Sequence, residues 1–393
     1  MRLLVVPASV LAVVAILFAV PASAADADGI GAGPGGGPAQ SFIVVLRDSI
    51  GAASTVATEH AQRFGADVEA VYENALKGYA ASIPQGSVGA IAADARVASV
   101  EPDAEVHALA TQSNATWGID RIDQRALPLS TTFTYQSTGA GVKAYIIDTG
   151  IRTSHTQFGG RAIDGRDTVD GALPAADCNG HGTHVAGTVG GSTYGVAKGV
   201  TLVAVRVLNC NGSGTTSGVI AGIDWVTGNH QAGQAAVANM SLGGGVSNAL
   251  DTAARNSIAD GVSYAIAAGN GNVFGQAVNA CNTSPARVSQ AMTVSATMSN
   301  DQKASWANFG SCVDWFAPGV GITSAWSTSN TATRTISGTS MATPHTAGVA
   351  ALYLQGNPGA SPATVRTALF NATTKGIVTA SNTTNNHLLF TSY

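Results

Sequence analysis

The chain has 393 residues, of which only 11% are charged, with 19 Lys and Arg against 23 Asp and Glu for a formal net charge of −4. Its 45% hydrophobic content and 47 glycines suit a compact globule and exclude a disordered polyelectrolyte. No basic stripe occurs, which excludes nucleic acid as a partner.

Arg2 precedes an almost unbroken apolar run from Leu3 to Val20, and Ala22-Ser23-Ala24 is a small-x-small cleavage signal. Residues 1–24 therefore read as a secretory signal peptide. A retained membrane anchor is the alternative, since the run approaches spanning length, but Asp26 and Asp28 directly after the site favour cleavage. No later run is comparable. The expected product is secreted, extracellular, soluble and, after signal cleavage, without membrane attachment.

Gly29 to Gly37 reads as part of a flexible linker, residues 25–40. Strands are expected over Ser41 to Asp48, Lys77 to Pro84 and Val97 to Val106, with helices over Ala53 to Ala66 and Val88 to Ala95. These make a small α+β domain, residues 41–109. From Ala25 to Leu109 there are 4 Lys and Arg against 11 Asp and Glu, net −7; from Ala110 to Tyr393 there are 14 against 12, net +2, with no Glu. Pieces of opposite sign attract each other.

The remainder, residues 110–393, changes pattern. Apolar runs at Gly141 to Asp148, Val200 to Leu208, Ala236 to Leu242, Val262 to Ala268 and Ala291 to Ala296 alternate with helical segments at His181 to Gly190, Thr216 to Asn229 and Asn248 to Asp260. Ser340 to Leu354 and Pro362 to Asn371 follow as helices, the latter opened by Ser361 as a cap before a first-turn proline. Such alternation predicts an α/β fold, a parallel sheet with helices on both faces. Ligands in such folds bind outside the carboxyl ends of the strands.

Three motifs fall at those places. YIIDTGI puts Asp148 at the end of a buried strand, NGHGTHVAGT puts His181 at the start of a helix, and SGTSMATPH puts Ser340 at the start of another. A serine hydroxyl needs a histidine to take its proton, and the histidine needs a buried carboxylate to fix its tautomer and stabilise the imidazolium. At a helix N-terminus the backbone N–H of Ser340 also faces a developing oxyanion. Gly150, Gly180, Gly182 and Gly338 flank these residues and permit tight turns. Asn270, ending the strand that precedes Gly269, can give the second oxyanion hydrogen bond, worth about 3–4 kcal/mol. Taken alone, Asp148 is a turn residue, Ser340 an N-cap and Gly269-Asn270 a turn; their joint occurrence in this order reverses that reading.

DTGI, HGTHVAGT, SLGGG, AAGN and GTSMATPH together resemble the subtilisin-like serine proteases, in particular the aqualysin-type members of the proteinase K branch, over nearly all of Thr111 to Tyr393. The preceding segment resembles the inhibitor-like propeptide of that family. The resemblance implies a subtilisin-like fold and assigns Asp148, His181, Ser340 and Asn270 to a serine endopeptidase, made as an autoprocessed zymogen. It implies protein and peptide substrates, the propeptide as intramolecular inhibitor and folding aid, and a monomer.

A substrate strand would run between Gly212, Ser213 and Gly214 on one side and Ser241, Leu242 and Gly243 on the other. A pocket walled by Ser241 to Gly244 and by Ala267, Ala268, Gly269 and Asn270 carries no charge, which favours an apolar or aromatic P1 residue. The nearest candidates for the outer S4 site are Thr215 and Thr216, which offer no aromatic wall. His184 and His345 read as buried structural histidines, because HGTH lacks the glutamate of HExxH.

Asp120, Asp123 and Gln124 lie at i, i+3 and i+4, on one helix face, and suit Ca²⁺ as well as a solvated surface. The resemblance implies calcium there, with Ser130 nearby, and a second site at Asp314 with the carbonyls of Ser289 and Ala291; the calcium is structural, and no catalytic metal is expected. Cys178, Cys210, Cys281 and Cys312 are an even set in an exported chain, expected as two disulfides with three pairings open. The resemblance pairs Cys178 with Cys210 and Cys281 with Cys312. Two other functions meet objections: an α/β-hydrolase esterase or lipase would order its triad Ser, acid, His around GxSxG, and a non-catalytic binding protein on this fold would lack a triad member.

Overall fold

The computed structural model describes residues 39–103 and 110–393, in two compact units. The expected signal peptide and most of the linker lie outside the described residues, as do residues 104–109.

The first unit runs β1 (Ala39–Leu46), α1 (Ala53–Phe64), β2 (Asp67–Tyr72), β3 (Gly78–Pro84), α2 (Gln85–Ala92) and β4 (Val97–Pro102). Its antiparallel sheet has the order β2-β3-β1-β4. Alternate residues Val44 and Leu46 of β1, and Tyr79, Ala81 and Ile83 of β3, bury one face beneath Val56 and Ala57 of α1 and Ile91 of α2. The sequence reading passed over β2, although DVEAVY alternates strictly. It also set α2 three residues late, because the helix starts directly after Pro84.

The second unit opens with β5 (Ala110–Ser113), α3 (Trp117–Ile122) and β6 (Thr132–Tyr135), then continues β7 (Lys143–Asp148), β8 (Ala162–Asp167), α4 (His181–Gly190), β9 (Thr201–Arg206), α5 (Thr216–Asn229), β10 (Ala236–Met240) and α6 (Asn248–Asp260). It ends β11 (Ser263–Ala267), β12 (Met292–Thr297), β13 (Trp315–Pro318), β14 (Ile322–Ala325), β15 (Thr333–Ile336), α7 (Thr339–Gly356) and α8 (Pro362–Ala372). Seven strands form a wholly parallel sheet in the order β13-β12-β11-β10-β7-β9-β8. Both faces are covered. Ala144 and Ile146 of β7 join one core with Val185 and Val189 of α4 and Val349 of α7. Tyr145 and Ile147 join the other, with Val219 and Ile223 of α5 and Ala254 of α6. Strands buried on both sides read as continuous apolar runs, which is why the five inner strands were legible. The edge strands β8 and β13 were not.

From β7 the chain first builds β8 and β9 on one side and then crosses to β10 on the other. The order reverses between β7 and β10, so a crevice opens at their carboxyl ends. Two disulfides, Cys178–Cys210 and Cys281–Cys312, are formed as the resemblance implied. Among the described residues no helix is long and apolar enough to cross a membrane.

Candidate active site

Asp148 is the last residue of β7, at the strand-order reversal, and is fully buried. Its Oδ1 accepts from the backbone N–H of Thr149 at 2.8 Å and pairs with Nδ1 of His181 at 2.7 Å. Its Oδ2 is buried with no hydrogen-bond partner. A carboxylate taken out of water must be compensated, and here His181, with a side chain 24% exposed, supplies the compensation. Burial pushes the imidazole pKa down, but the charge and hydrogen bond of Asp148, with the charge of Asp177 behind them, outweigh it and hold the ring above the ordinary histidine value.

Helix α4 starts on His181 because of Asp177, which the sequence reading missed. Its Oδ1 accepts from Thr149 Oγ1 (2.9 Å), Asn179 N (2.9 Å) and Gly180 N (2.8 Å); its Oδ2 accepts from Thr183 N (2.9 Å) and Thr183 Oγ1 (2.6 Å). Thr149 in turn accepts from Gly182 N at 2.8 Å. One carboxylate thus ties the residue after Asp148 to the first turn of the helix carrying His181. The approach is so close that a Cβ on Gly182 would fall 2.1 Å from the Gly150 carbonyl oxygen, so no other residue fits. The only local signal for Asp177 was its place four residues before His181.

Ser340 is the second residue of α7. Pro344 lies inside that helix and has no N–H, so the carbonyl of Ser340, four residues earlier, has no helical donor. Ser241 Oγ takes the vacant place, donating to Ser340 O at 2.9 Å, and Ser340 Oγ donates back to Ser241 O at 3.1 Å. Asn239 Nδ2 donates to Ser241 Oγ at 3.0 Å and orients it. Ser340 is thereby fixed against the segment after β10.

Asn270 follows β11. Its Oδ1 accepts from Thr339 N (2.8 Å) and Thr339 Oγ1 (2.9 Å), which assigns its NH₂ to the free side, in the cavity that Ser340 also lines. Thr339 N and Met341 N of the first turn of α7 are paired, with Asn270 Oδ1 and Gly338 O, which leaves that NH₂ and the Ser340 N–H as the expected oxyanion donors. Two hollows meet at Ser241 to Gly245. One is lined by His181, Asn211 to Thr216, Leu208, Val219 and Leu250. The other is lined by Ala267 to Asn272, Val278, Thr283 and Asn308, with no charged side chain. The expected His181, Ser340, Asn270 and substrate-wall residues therefore line two hollows that share Ser241 to Gly245, with Asp148 buried behind His181. The apolar Leu208, Val219 and Leu250 line the first hollow together with Thr215 and Thr216. Buried Asn308, also missed, donates to Ala268 O and accepts from Gly271 N and Val278 N.

The two calcium expectations part ways. Helix α3 ends at Ile122, with Asp123 as its C-cap and Gln124 beyond it, so the expected shared helix face is not formed. The loop to Ser130 gathers the same residues instead. Asp120 Oδ1 accepts from Ser130 N and Oγ, Asp120 Oδ2 from Thr131 N, and Gln124 Oε1 from Ser130 N. Asp123 Oδ2 accepts from Thr134 N, while its Oδ1 is buried without a partner. Burial, aided by the charge of Asp120 and opposed by the Thr134 hydrogen bond, pushes the Asp123 pKa up to about 6. The orphaned, buried Oδ1 of Asp123, close enough to Asp120 to feel its charge, is an oxygen that a hard cation would satisfy. The Asp314 site does not fit such a cation. Arg366 Nη2 pairs with Asp314 Oδ1, Arg366 Nε donates to the Ala291 carbonyl at 3.2 Å, and Thr293 N occupies Asp314 Oδ2. A guanidinium already neutralises the oxygens that were to hold calcium. The hydroxyl of Ser289, the third residue of that set, donates only to Gln290 Oε1.

Comparison with known proteins gives the family of each unit. Residues 139–389 match the Subtilase family, and residues 41–109 match Peptidase inhibitor I9. The chain is 57% identical over 84% of its length to an extracellular serine proteinase of Thermus sp. (strain Rt41A), spanning 79% of that protein. It is 51% identical over 83% of its length to an alkaline serine exoprotease A of Vibrio alginolyticus, spanning 61% of that protein. A solved cold-adapted subtilisin-like serine proteinase superposes with a TM-score of 0.68 at 55% identity, covering 72% of this chain and all of the other.

The Ser340 carbonyl gives a direct test. In a Ser340→Ala background, which prevents self-digestion, Ser241→Ala should lower the unfolding free energy by about 1 kcal/mol through the lost donor. Adding Pro344→Ala returns an N–H four residues after position 340 and should recover part of that loss. Urea denaturation of the single and double variants checks it; strictly additive effects would mean that Ser241 and Pro344 do not share the carbonyl.

Proposed function

The chain belongs to the subtilase family and is a serine endopeptidase, and from this we propose that Asp148, His181, Ser340 and Asn270 carry out the hydrolysis. The observation that carries the reading is the buried Asp148–His181 pair facing, across one cleft, a serine at a helix N-terminus and an asparagine whose amide oxygen is pinned. Ser340 turns its hydroxyl from the Ser241 carbonyl to Nε2 of His181 and attacks the scissile carbonyl. His181 takes the proton and returns it to the leaving amine, and Asp148 stabilises the imidazolium meanwhile. Asn270 Nδ2 and the Ser340 backbone N–H hold the oxyanion. Water then hydrolyses the acyl-enzyme by the same route. The uncharged wall of Ser241 to Gly245 and Ala267 to Asn270 supports broad specificity with an apolar or aromatic P1 residue.

The extracellular serine proteinase of Thermus sp. among its relatives supports a secreted enzyme. Residues 25–109, containing the I9 match, act as an inhibitor and folding aid until the chain cuts itself after Leu109. A cut at that bond makes Leu109 the P1 residue and Val106 the P4 residue, both apolar. The peptidase domain begins at Ala110, the first residue of β5. Ser340→Ala, expressed in a host without extracellular proteases, should accumulate as an unprocessed precursor, whereas the wild type yields Ala110 at its N-terminus. Turnover of casein should fall on the order of a million-fold. A mutant cut at the same bond would overturn self-processing.

Calcium binds at Asp120, Asp123, Gln124 and Ser130, where it supplies charge compensation and stabilises the native state only. It is structural. In excess chelator Asp123→Asn should be at least as stable as wild type, because the amide carries no buried unpaired charge. Excess calcium should then raise the melting temperature of wild type alone. Equal calcium responses in the two proteins would remove the site.

A further inference from the structure

Val273 and Phe274 are 93% and 82% exposed, the two most exposed large apolar side chains among the described residues, and they are adjacent in sequence. Scattered exposed apolar residues are ordinary, but a mobile tail could at least fold such a pair away. This segment cannot, because it is braced throughout. Gly271 (φ +87°) and Gly275 (φ +71°) make its two corners. Asn272 N donates to Gln276 O at 2.8 Å and Gly275 N to Asn272 O at 2.9 Å. The Asn272 side chain fills the interior: its Oδ1 accepts from Phe274 N (3.0 Å) and Gln276 N (3.1 Å), and its Nδ2 donates to Gln276 Oε1 (3.2 Å). Asn308 Oδ1 pins both ends, accepting from Gly271 N and Val278 N at 3.0 Å each. The result is a rigid tip that holds an aromatic and a β-branched side chain in water.

The tip is continuous with the cleft. It begins one residue after Asn270, and Gly271 and Asn272 line the same uncharged cavity as Ala267 to Asn270 and Ser340. An aromatic residue on a hydrogen-bonded backbone has only its own two side-chain torsions to order on contact, and aromatic residues are frequent anchors of recognition surfaces. Polar Asn272 and Gln276 rim the pair, as expected of a surface meant for contact rather than for burial in the fold.

We propose that Val273 and Phe274 form an exosite that docks apolar patches of protein substrates lying outside the strand threaded through the cleft, so that this enzyme engages apolar, poorly soluble proteins better than its cleft alone would allow. The inference rests on the peptidase reading above and deepens it by naming the substrate class. It predicts that short substrates, which end within the cleft, never reach the tip.

The test uses the processed enzyme and a Val273→Ser/Phe274→Ser variant, with a short P1-Phe peptide anilide and insoluble elastin particles as probes. The anilide kcat/KM should stay within about two-fold of wild type, while adsorption to elastin and its hydrolysis fall at least about five-fold. Phe274→Trp should retain both. An equal fall on anilide and elastin would show that the tip only supports Asn270 and would overturn the exosite. So would unchanged elastin hydrolysis, including the case where the variant alters only inhibition by added residues 25–109 or self-association in sedimentation. If the wild type failed to cleave the anilide at all, the peptidase reading itself would fall, independently of the variant.

Discussion

A carboxylate sealed from water is the constraint on which the second unit turns. Asp148 sits at the buried end of β7, with one oxygen carrying both of its hydrogen bonds and the other carrying none. Such a charge is costly unless a partner is held against it, and the partner must stay even when it is neutral. The structure meets that demand with Asp177, whose five hydrogen bonds lock Thr149 to the first turn of α4. Gly182, where any side chain would strike the Gly150 carbonyl, lets that turn come close enough. The same arrangement that compensates Asp148 therefore raises the basicity of His181. Fold stability and catalytic competence draw on one interaction.

The nucleophile side is built on a different principle, the redirection of backbone groups. Pro344 withholds an N–H from α7, and the freed carbonyl of Ser340 is used to clasp Ser241. Thr339 performs a comparable service for Asn270, occupying its carboxamide oxygen so that only the NH₂ is left for the cleft. Both devices tie the start of α7 to segments at the carboxyl ends of β10 and β11, distant in sequence.

Legibility followed the range of the interactions. Asp148, His181, Ser340 and Asn270 stand inside extended local motifs at element ends, and the inner strands are continuous apolar runs, so both were readable. Helices α4, α5 and α6 have the bounds that caps and periodicity predicted. Asn308 and Thr339 were not readable, because each acts through hydrogen bonds to segments that the sequence does not juxtapose, and for Asp177 the decisive bond to Thr149 spans twenty-eight residues. Edge strands β8 and β13 lacked the length or alternation that marks a strand. The Arg366 contact at Asp314 was hidden for a similar reason. Nothing near Asp314 in sequence announces that Arg366, fifty-two residues on, lies against it. The I9 and Subtilase matches cover segments whose elements were largely predicted, whereas the braced Val273-Phe274 tip had no sequence signal beyond its flanking glycines.

Inactivation by phenylmethylsulfonyl fluoride, followed across pH with the adduct mapped by mass spectrometry, tests the central claim that Asp148 and His181 act as one unit on Ser340. The account predicts a single adduct on Ser340. The inactivation rate should fall with acid in a one-proton titration whose midpoint lies above the ordinary histidine value of about 6.5, because the base must be neutral to take the serine proton. An adduct on any other residue, or a rate that does not titrate between about pH 5 and 8, would contradict it.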